Sequence, residues 1–190
     1  MKVRDSGMPE VELWESFFDQ ELILSKLHLT PEINDVAEFG CGYGTFTIPA
    51  ARIVNGTVYA LDIEQEMLHK TNAYALSEEL PNVKCILTDF ISTGSGLPNN
   101  SVDYAMVFNI LHAEEPLNLL KEAYRILKID GILGIIHWKY DATTPRGPAM
   151  NIRPKPEQCK DWAEQAGFTL GSDGIIDLPP YHYGMALEKQ

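Results

Sequence analysis

A chain of 190 residues, 45% hydrophobic and 22% charged, has the size and balance of one globular domain around a single core. Its net charge of −12 argues against a nucleic-acid partner, because affinity for DNA or RNA comes largely from Lys and Arg neutralising phosphates and no basic stripe is present. No apolar run approaches the ~20 residues that cross a bilayer, and residues 1–9 carry no apolar signal region, so the expectation is a cytoplasmic protein with no membrane partner.

Apolar residues at Leu13, Trp14, Phe17, Phe18, Leu24 and Leu27 follow helical spacing and predict one amphipathic helix over residues 10–27. Two readings of it stand open: packing on the edge of a sheet, or a lid whose aromatics close over a ligand. Residues 30–34 then lead into a short buried strand, Val36-Ala37-Glu38-Phe39, which runs into the turn Gly40-Cys41-Gly42-Tyr43-Gly44. Glycine belongs where φ is positive or where a ligand approaches too closely for a Cβ. Three glycines at alternate positions, followed by a helix over 45–54, predict a loop that brings bare amides up to a small molecule. Pro49 fits near the start of that helix, where its missing N–H has no intrahelical partner to lose.

Asn55-Gly56 turns the chain into a second strand over 56–61, ending at Asp62, 22 positions after Gly40. A carboxylate about 20 residues beyond a glycine turn is where a nucleotide ribose receives hydrogen bonds in doubly wound folds. A helix over 65–80 stops at Pro81, and a third strand over 83–88, with Cys85 buried in it, ends in Asp89-Phe90. The acid suits an exocyclic amine and the ring suits a purine face. A Gly-, Ser- and Asn-rich surface connection precedes a fourth strand over 102–108, whose apolar density predicts cover on both faces. A helix over 116–127 and an Asp130-Gly131 turn lead to a fifth strand over 132–137.

Alternating strands and helices imply right-handed crossovers and a parallel sheet, with ligands at the carboxyl ends of the strands. The tail differs. It reads as a helix over 156–167 and two extended segments, 168–176 and 183–188, reversed at Pro179-Pro180. No repeat or second domain is evident. Cys41, Cys85 and Cys159 are widely spaced and odd in number, which suits reduced thiols in a cytosol.

At Glu38-x-Gly40-x-Gly42-x-Gly44, Leu61-Asp62, Thr88-Asp89-Phe90, residues 103–112 and Leu127-Lys128-x-x-Gly131 the chain resembles the class I S-adenosylmethionine-dependent methyltransferases. The resemblance runs from about Met8 to the C-terminus and is strongest between Val36 and Leu133. It implies an α/β, doubly wound, Rossmann-like sheet of seven strands, mostly parallel with an antiparallel last strand, and helices on both faces. It further implies a single methyltransferase domain over 1–190, with a helical lid over 1–30 and a substrate loop over 139–156. S-adenosylmethionine is the implied cofactor, and Glu38, Gly40, Cys41, Gly42, Gly44, Asp62, Ile63, Asp89, Phe90 and Asn109 are its implied contacts. Among them Asp62 would hold the ribose, Asp89 and Phe90 the adenine, and Asn109 the methionine end. The layout is similar to the branch that includes small-molecule methyltransferases of quinone biosynthesis. The implied partner is a small-molecule methyl acceptor, met by a monomer or homodimer.

A nicotinamide fingerprint, G-x-G-x-x-G, would put its third glycine at Thr45 or Thr47 and does not fit. Asp177-Leu178-Pro179-Pro180-Tyr181 looks like an amine-methylating motif, but Leu178 interrupts it, and a turn between the last two strands explains the prolines. A fold retained for binding or regulation without transfer is the alternative that no residue excludes.

Methyl transfer to a hydroxyl, thiol or carbon acid also needs a base. His112, just beyond the fourth strand, is the first candidate, with a satisfied loop histidine as the competing reading. His137 at the tip of the fifth strand is the second, and Tyr140 is placed to orient a phenol or carbonyl. His182 could approach from the far side, but these histidines lack local metal-ligand spacing and no metal is expected. His28 and His69 read as surface residues. Pro145, Pro148, Pro154 and Pro156 make residues 139–156 a stiff loop, and Lys139, Arg146, Arg153 and Lys155 make it basic. Anion recognition on the acceptor and salt bridges to the acidic surface are both open readings of that charge.

Overall fold

The computed structural model describes residues 9–190; the rest of the expected lid, residues 1–8, and most of the segment read for an export signal lie outside them. Eight strands form one sheet: β1 (Val36–Phe39), β2 (Val58–Asp62), β3 (Val83–Leu87), β4 (Val102–Phe108), β5 (Leu127–Trp138), β6 (Phe168–Leu170), β7 (Ile176–Leu178) and β8 (His182–Lys189). Their order is β3-β2-β1-β4-β5-β8-β6, with β7 also on β8. The first five pair in parallel, and β8 runs antiparallel to β5, β6 and β7. This is the expected mostly parallel, doubly wound sheet with one addition. The outer edge of β8 is shared by two short strands, because the expected extended run 168–176 is broken by a turn in which the Gly174 amide donates to the Gly171 carbonyl.

The strands bury both faces. On β4, Tyr104, Met106 and Phe108 join one core cluster and Ala105 and Val107 the other, as the two-residue pleat requires. Helices α2 (Gln20–Lys26) and α3 (Thr47–Ile53) cover the first face. Helices α5 (Pro116–Ile126) and α6 (Pro156–Ala166) cover the second. Helix α4 (Gln65–Ser77) packs Leu68 against Ala60 and Cys41 at the β2 side. The fully buried Tyr104 donates its hydroxyl to the Leu27 carbonyl at 2.9 Å, tying the N-terminal helices to the sheet.

Three expectations are corrected. Residues 10–27 form two helices, not one: α1 (Val11–Glu15) ends before Asp19, whose carboxylate accepts from the Leu22 amide and caps α2, while Phe17 and Phe18 are buried at the break. Strand β5 starts at Leu127, and the Asp130-Gly131 turn falls inside it as a register shift against β4. Cys85 is only half-buried, because β3 is the edge of the sheet. Among the described residues, no helix is long and apolar enough to cross a membrane.

Candidate active site

A cavity of about 300 Å³ opens where the strand order reverses, between the carboxyl ends of β1 and β4. Open α/β sheets bind ligands at this switch point because loops diverge there to opposite faces. One wall is the turn after β1 with Asp62 at the end of β2, Ile63 and Glu64 beyond it, and Phe90 after β3. The other wall carries Phe108, Asn109, Ile110 and His112 from the end of β4, and Trp138 from the end of β5.

Gly40 and Gly42 take φ values of 76° and 55°, and a Cβ on Gly40 would stand 3.3 Å from Cγ2 of Ile110. The turn supplies room, not donors. The amides of Gly40 and Cys41 both donate to the Leu61 carbonyl, at 2.8 and 3.0 Å. That of Gly42 donates to Oδ2 of Asp62 at 3.0 Å, and that of Gly44 to the Cys41 carbonyl at 2.9 Å. The expectation of bare amides facing a ligand is therefore corrected: the protein has already paired them.

Asp62 holds the turn together through Oδ2 and accepts from the Glu64 amide through Oδ1 at 2.9 Å. Burial pushes its carboxyl up from the ordinary range. Glu38 is 3% exposed, accepts from the Thr47 hydroxyl, and is pushed up to about 8 by burial, against which the Thr47 bond pulls. Near neutral pH its carboxyl is thus mostly protonated. Two buried polar atoms on the cavity, Oγ1 of Thr45 and Oδ1 of Asn109, have no hydrogen-bond partner among the described residues. Buried polar atoms are seldom left so, and these are positioned for a ligand's donors.

The far side of the cavity is aromatic. Trp14, Phe46, Phe108 and Trp138 line it, with Phe46 edge-on to Phe108 at 4.9 Å and Trp14 tilted on Trp138 at 6.4 Å. Arg146, Gly147 and Pro148 close that side. Arg153 is an internal brace: it donates to the carbonyls of Pro148, Lys139 and Asp141, each at 3.0 Å, and to the Thr144 hydroxyl at 2.7 Å. Lys139 pairs with Asp177 at 2.7 Å, and Lys155 lies over the Tyr140 ring at 5.1 Å. Of the four basic residues in that loop, Arg146 is the one lining the cavity.

Nine sequence-derived candidates meet on the cavity: Glu38, Gly40, Cys41, Gly42, Asp62, Ile63, Phe90, Asn109 and His112. Four do not line it. Gly44 (φ 84°) packs on Thr71, and Asp89 caps its own turn by accepting from the Ser92 amide at 3.1 Å. His137 is fully buried behind His112, with Nε2 3.3 Å from Nδ1 of His112. Tyr140 is 44% exposed beneath Lys155. His182 is fully buried between Phe18 and Trp138, at ring distances of 4.5 and 4.3 Å, and burial takes it down to about 3. Among the described residues, no cluster of His, Cys, Asp or Glu is arranged to hold a metal. His28 is exposed and meets Asp173 at 2.8 Å, and His69 meets Gln65 at 3.0 Å, as surface residues do. Thr45, Phe46 and Trp138 were not singled out by sequence. The first two lie in the loop because α3 begins at Thr47, and Trp138 because β5 runs one residue past His137.

The switch-point cavity and the strand order with its late antiparallel strand define a class I S-adenosylmethionine-dependent methyltransferase fold. The chain belongs to the family described as "Methyltransferase domain", whose model matches residues 36–131. A solved S-adenosylmethionine-dependent methyltransferase from Aquifex aeolicus superposes with a TM-score of 0.81 at 26% identity, covering 94% of this chain and 93% of that one. Sterol 24-C-methyltransferase erg6 of Aspergillus fumigatus is 25% identical over 80% of this chain and 45% of its own length. A probable cobalt-precorrin-6B C(15)-methyltransferase of Methanosarcina acetivorans is 36% identical over 52% of this chain and 54% of its own. The chain spans about half the length of these two curated relatives.

Proposed function

We propose that this protein transfers a methyl group from S-adenosylmethionine to a small-molecule acceptor. The observation that carries this reading is the cavity at the β1–β4 switch point, where Asp62, Phe90, Glu38 and Asn109 face one space that also holds two unpartnered buried oxygens. The residues suit the cofactor. Asp62 would accept from the ribose hydroxyls with the lone pairs its two backbone bonds leave free, Ile63 and Phe90 would sandwich the adenine, and Oδ1 of Asn109 and Glu38 would receive the methionine ammonium. When bound, the cofactor supplies an electrophilic methyl carbon on a sulfonium.

The chain's own part is positioning and proton removal. Asp62, Ile63, Phe90, Asn109 and Glu38 would hold the cofactor so that its methyl group lies open to the acceptor's lone pair. The acceptor's proton passes to His112, which is 9% exposed on the cavity wall. Trp14 and Trp138 and the 146–148 loop bound the space left for the acceptor, which favours a compact, largely apolar molecule. The sterol and precorrin names of two relatives support a small-molecule class. Three unpaired cysteines support a cytoplasmic setting.

The test is incubation with methyl-labelled S-adenosylmethionine and a metabolite extract. Labelled small molecules are expected; tight cofactor binding with no labelled product across broad extracts would assign a binding role instead.

A further inference from the structure

Residues 139–155 contain no helix or strand, yet three of them, Arg146, Gly147 and Pro148, close one side of the cavity. Connections of this length usually serve a function or stay disordered, and here one buried side chain orders the stretch. Arg153 is 7% exposed. To the bonds from Nε to Pro148 and from Nη1 to Lys139, Asp141 and Thr144, its Nη2 adds one to the Arg146 carbonyl at 3.3 Å. Arg146 and Pro148, two of the residues so held, are on the cavity wall. Gly147 sits between them with φ 116°. A Cβ there would stand 2.7 Å from Nη2 of Arg153 and 2.9 Å from Cγ of Trp138. The Gly147 backbone therefore lies against both the guanidinium and the indole, with no room for a side chain.

We infer that Arg153, which is not itself on the cavity wall, is the positioning residue for the acceptor: it clamps residues 146–148 onto Trp138 and so sets the outer limit of the space the acceptor occupies. The inference rests on the proposed function for what fills that space, and on geometry for the clamp itself.

The task calls for arginine. A guanidinium is planar and carries its N–H donors in a fixed fork, so it holds oxygens spread around its rim. A lysine ammonium is a single point with three donors and cannot reach all of these oxygens at once. Apart from the Thr144 hydroxyl, the acceptors are backbone carbonyls, so the clamp sets the path of the chain itself. The cofactor wall is held separately. The amides of its glycine turn bond to Leu61, Asp62 and Cys41, and none bonds to residues 139–155. Loosening the clamp therefore reaches the acceptor and spares the cofactor.

Two variants loosen the clamp from opposite sides: R153K removes donors, and G147A pushes the chain off Arg153 and Trp138. Labelling by methyl-labelled S-adenosylmethionine is followed across a dilution series of pooled metabolite extract. Both variants are expected to need about tenfold more extract for half-maximal labelling, with the plateau rate within about threefold of wild type and calorimetric affinity for S-adenosylmethionine unchanged. Wild-type half-saturation in both variants would overturn the inference, as would an equal loss of cofactor affinity. Hydrogen exchange reads the clamp with no acceptor present. The amides of Asp141, Thr143 and Thr144 bond within the loop at 2.8, 2.8 and 3.3 Å. In R153K they are expected to exchange about tenfold faster, while those of Gly40 and Cys41 keep the wild-type rate. Unchanged exchange at the three loop amides would also overturn it. Faster exchange there in a protein that labels nothing would uphold the clamp while removing the proposed function.

Discussion

On the β1–β2 side of the cavity, most of the wall comes from two short stretches: Glu38, Gly40, Cys41 and Gly42, then Asp62, Ile63 and Glu64. Across the cleft, Trp14, His112, Trp138 and Arg146 arrive from four segments that only the folded sheet and its loops bring together. The first side is held by bonds between those two stretches, with Asp62 gripping the Gly42 amide. The second is held by ring packing and by Arg153, whose bonds to five loop residues shape the 139–153 segment. A shared ligand can be met by a fixed local scaffold, while a variable acceptor is met by a surface whose parts change independently. The difference predicts that substitutions on one side act on cofactor affinity and those on the other on the acceptor.

The sharpest way to break that division is Gly40→Val. The residue needs positive φ and would press on Ile110, so S-adenosylmethionine affinity by calorimetry should fall about a hundredfold or more, at roughly 1–2 kcal/mol for the backbone alone plus the clash. Normal affinity would contradict the role of the turn. Asp62→Ala comes next, at about 1–3 kcal/mol of lost cofactor binding, because ribose acceptors and the brace on Gly42 go together. Unchanged affinity would remove the ribose assignment.

Trp14→Ala sharpens the comparison from the other side. Acceptor KM should rise about tenfold, or ~1.4 kcal/mol, with cofactor affinity unchanged; the reverse pattern would place α1 on the cofactor side.

Glu38 gives a separate test, read in stability and not in ligand affinity. Its folded-state value, about 8, lies above the ordinary 4.5, so the folded chain holds this proton more tightly than the unfolded chain does. The associated stability is present at low pH and is lost as pH rises through that interval. In urea titrations, wild type should lose stability relative to Glu38→Gln between about pH 4.5 and about pH 8. Parallel pH profiles would show that Glu38 is not buried as described.

The legibility of the molecule follows the same division. The helices and parallel strands were readable because apolar periodicity and Gly, Asn and Pro stops are local signals. The break at Asp19 was not, because Phe17 and Phe18 keep helical spacing across it while their burial comes from Phe46, His182 and Trp138. Glu38, Asp62, Phe90 and Asn109 could be picked out because each sits at a strand tip. Asp89 sits at one too, yet its carboxylate serves its own turn, and no spacing rule distinguishes the two uses. His137 was visible as a histidine at the end of a strand, but its position behind His112 depends on which face of β5 it takes. The charge of the 139–155 loop was plain, whereas the inward turn of Arg153 was set by carbonyls needing donors, which sequence does not display.

A crystal structure with S-adenosylmethionine bound tests the central claim most directly. The account predicts the ribose on Asp62, the adenine against Ile63 and Phe90, and the methionine end at Glu38 and Asn109, with the sulfonium methyl turned toward His112 and Trp138. A ligand seated elsewhere, or no binding with the β1–β4 cavity left open, would contradict it.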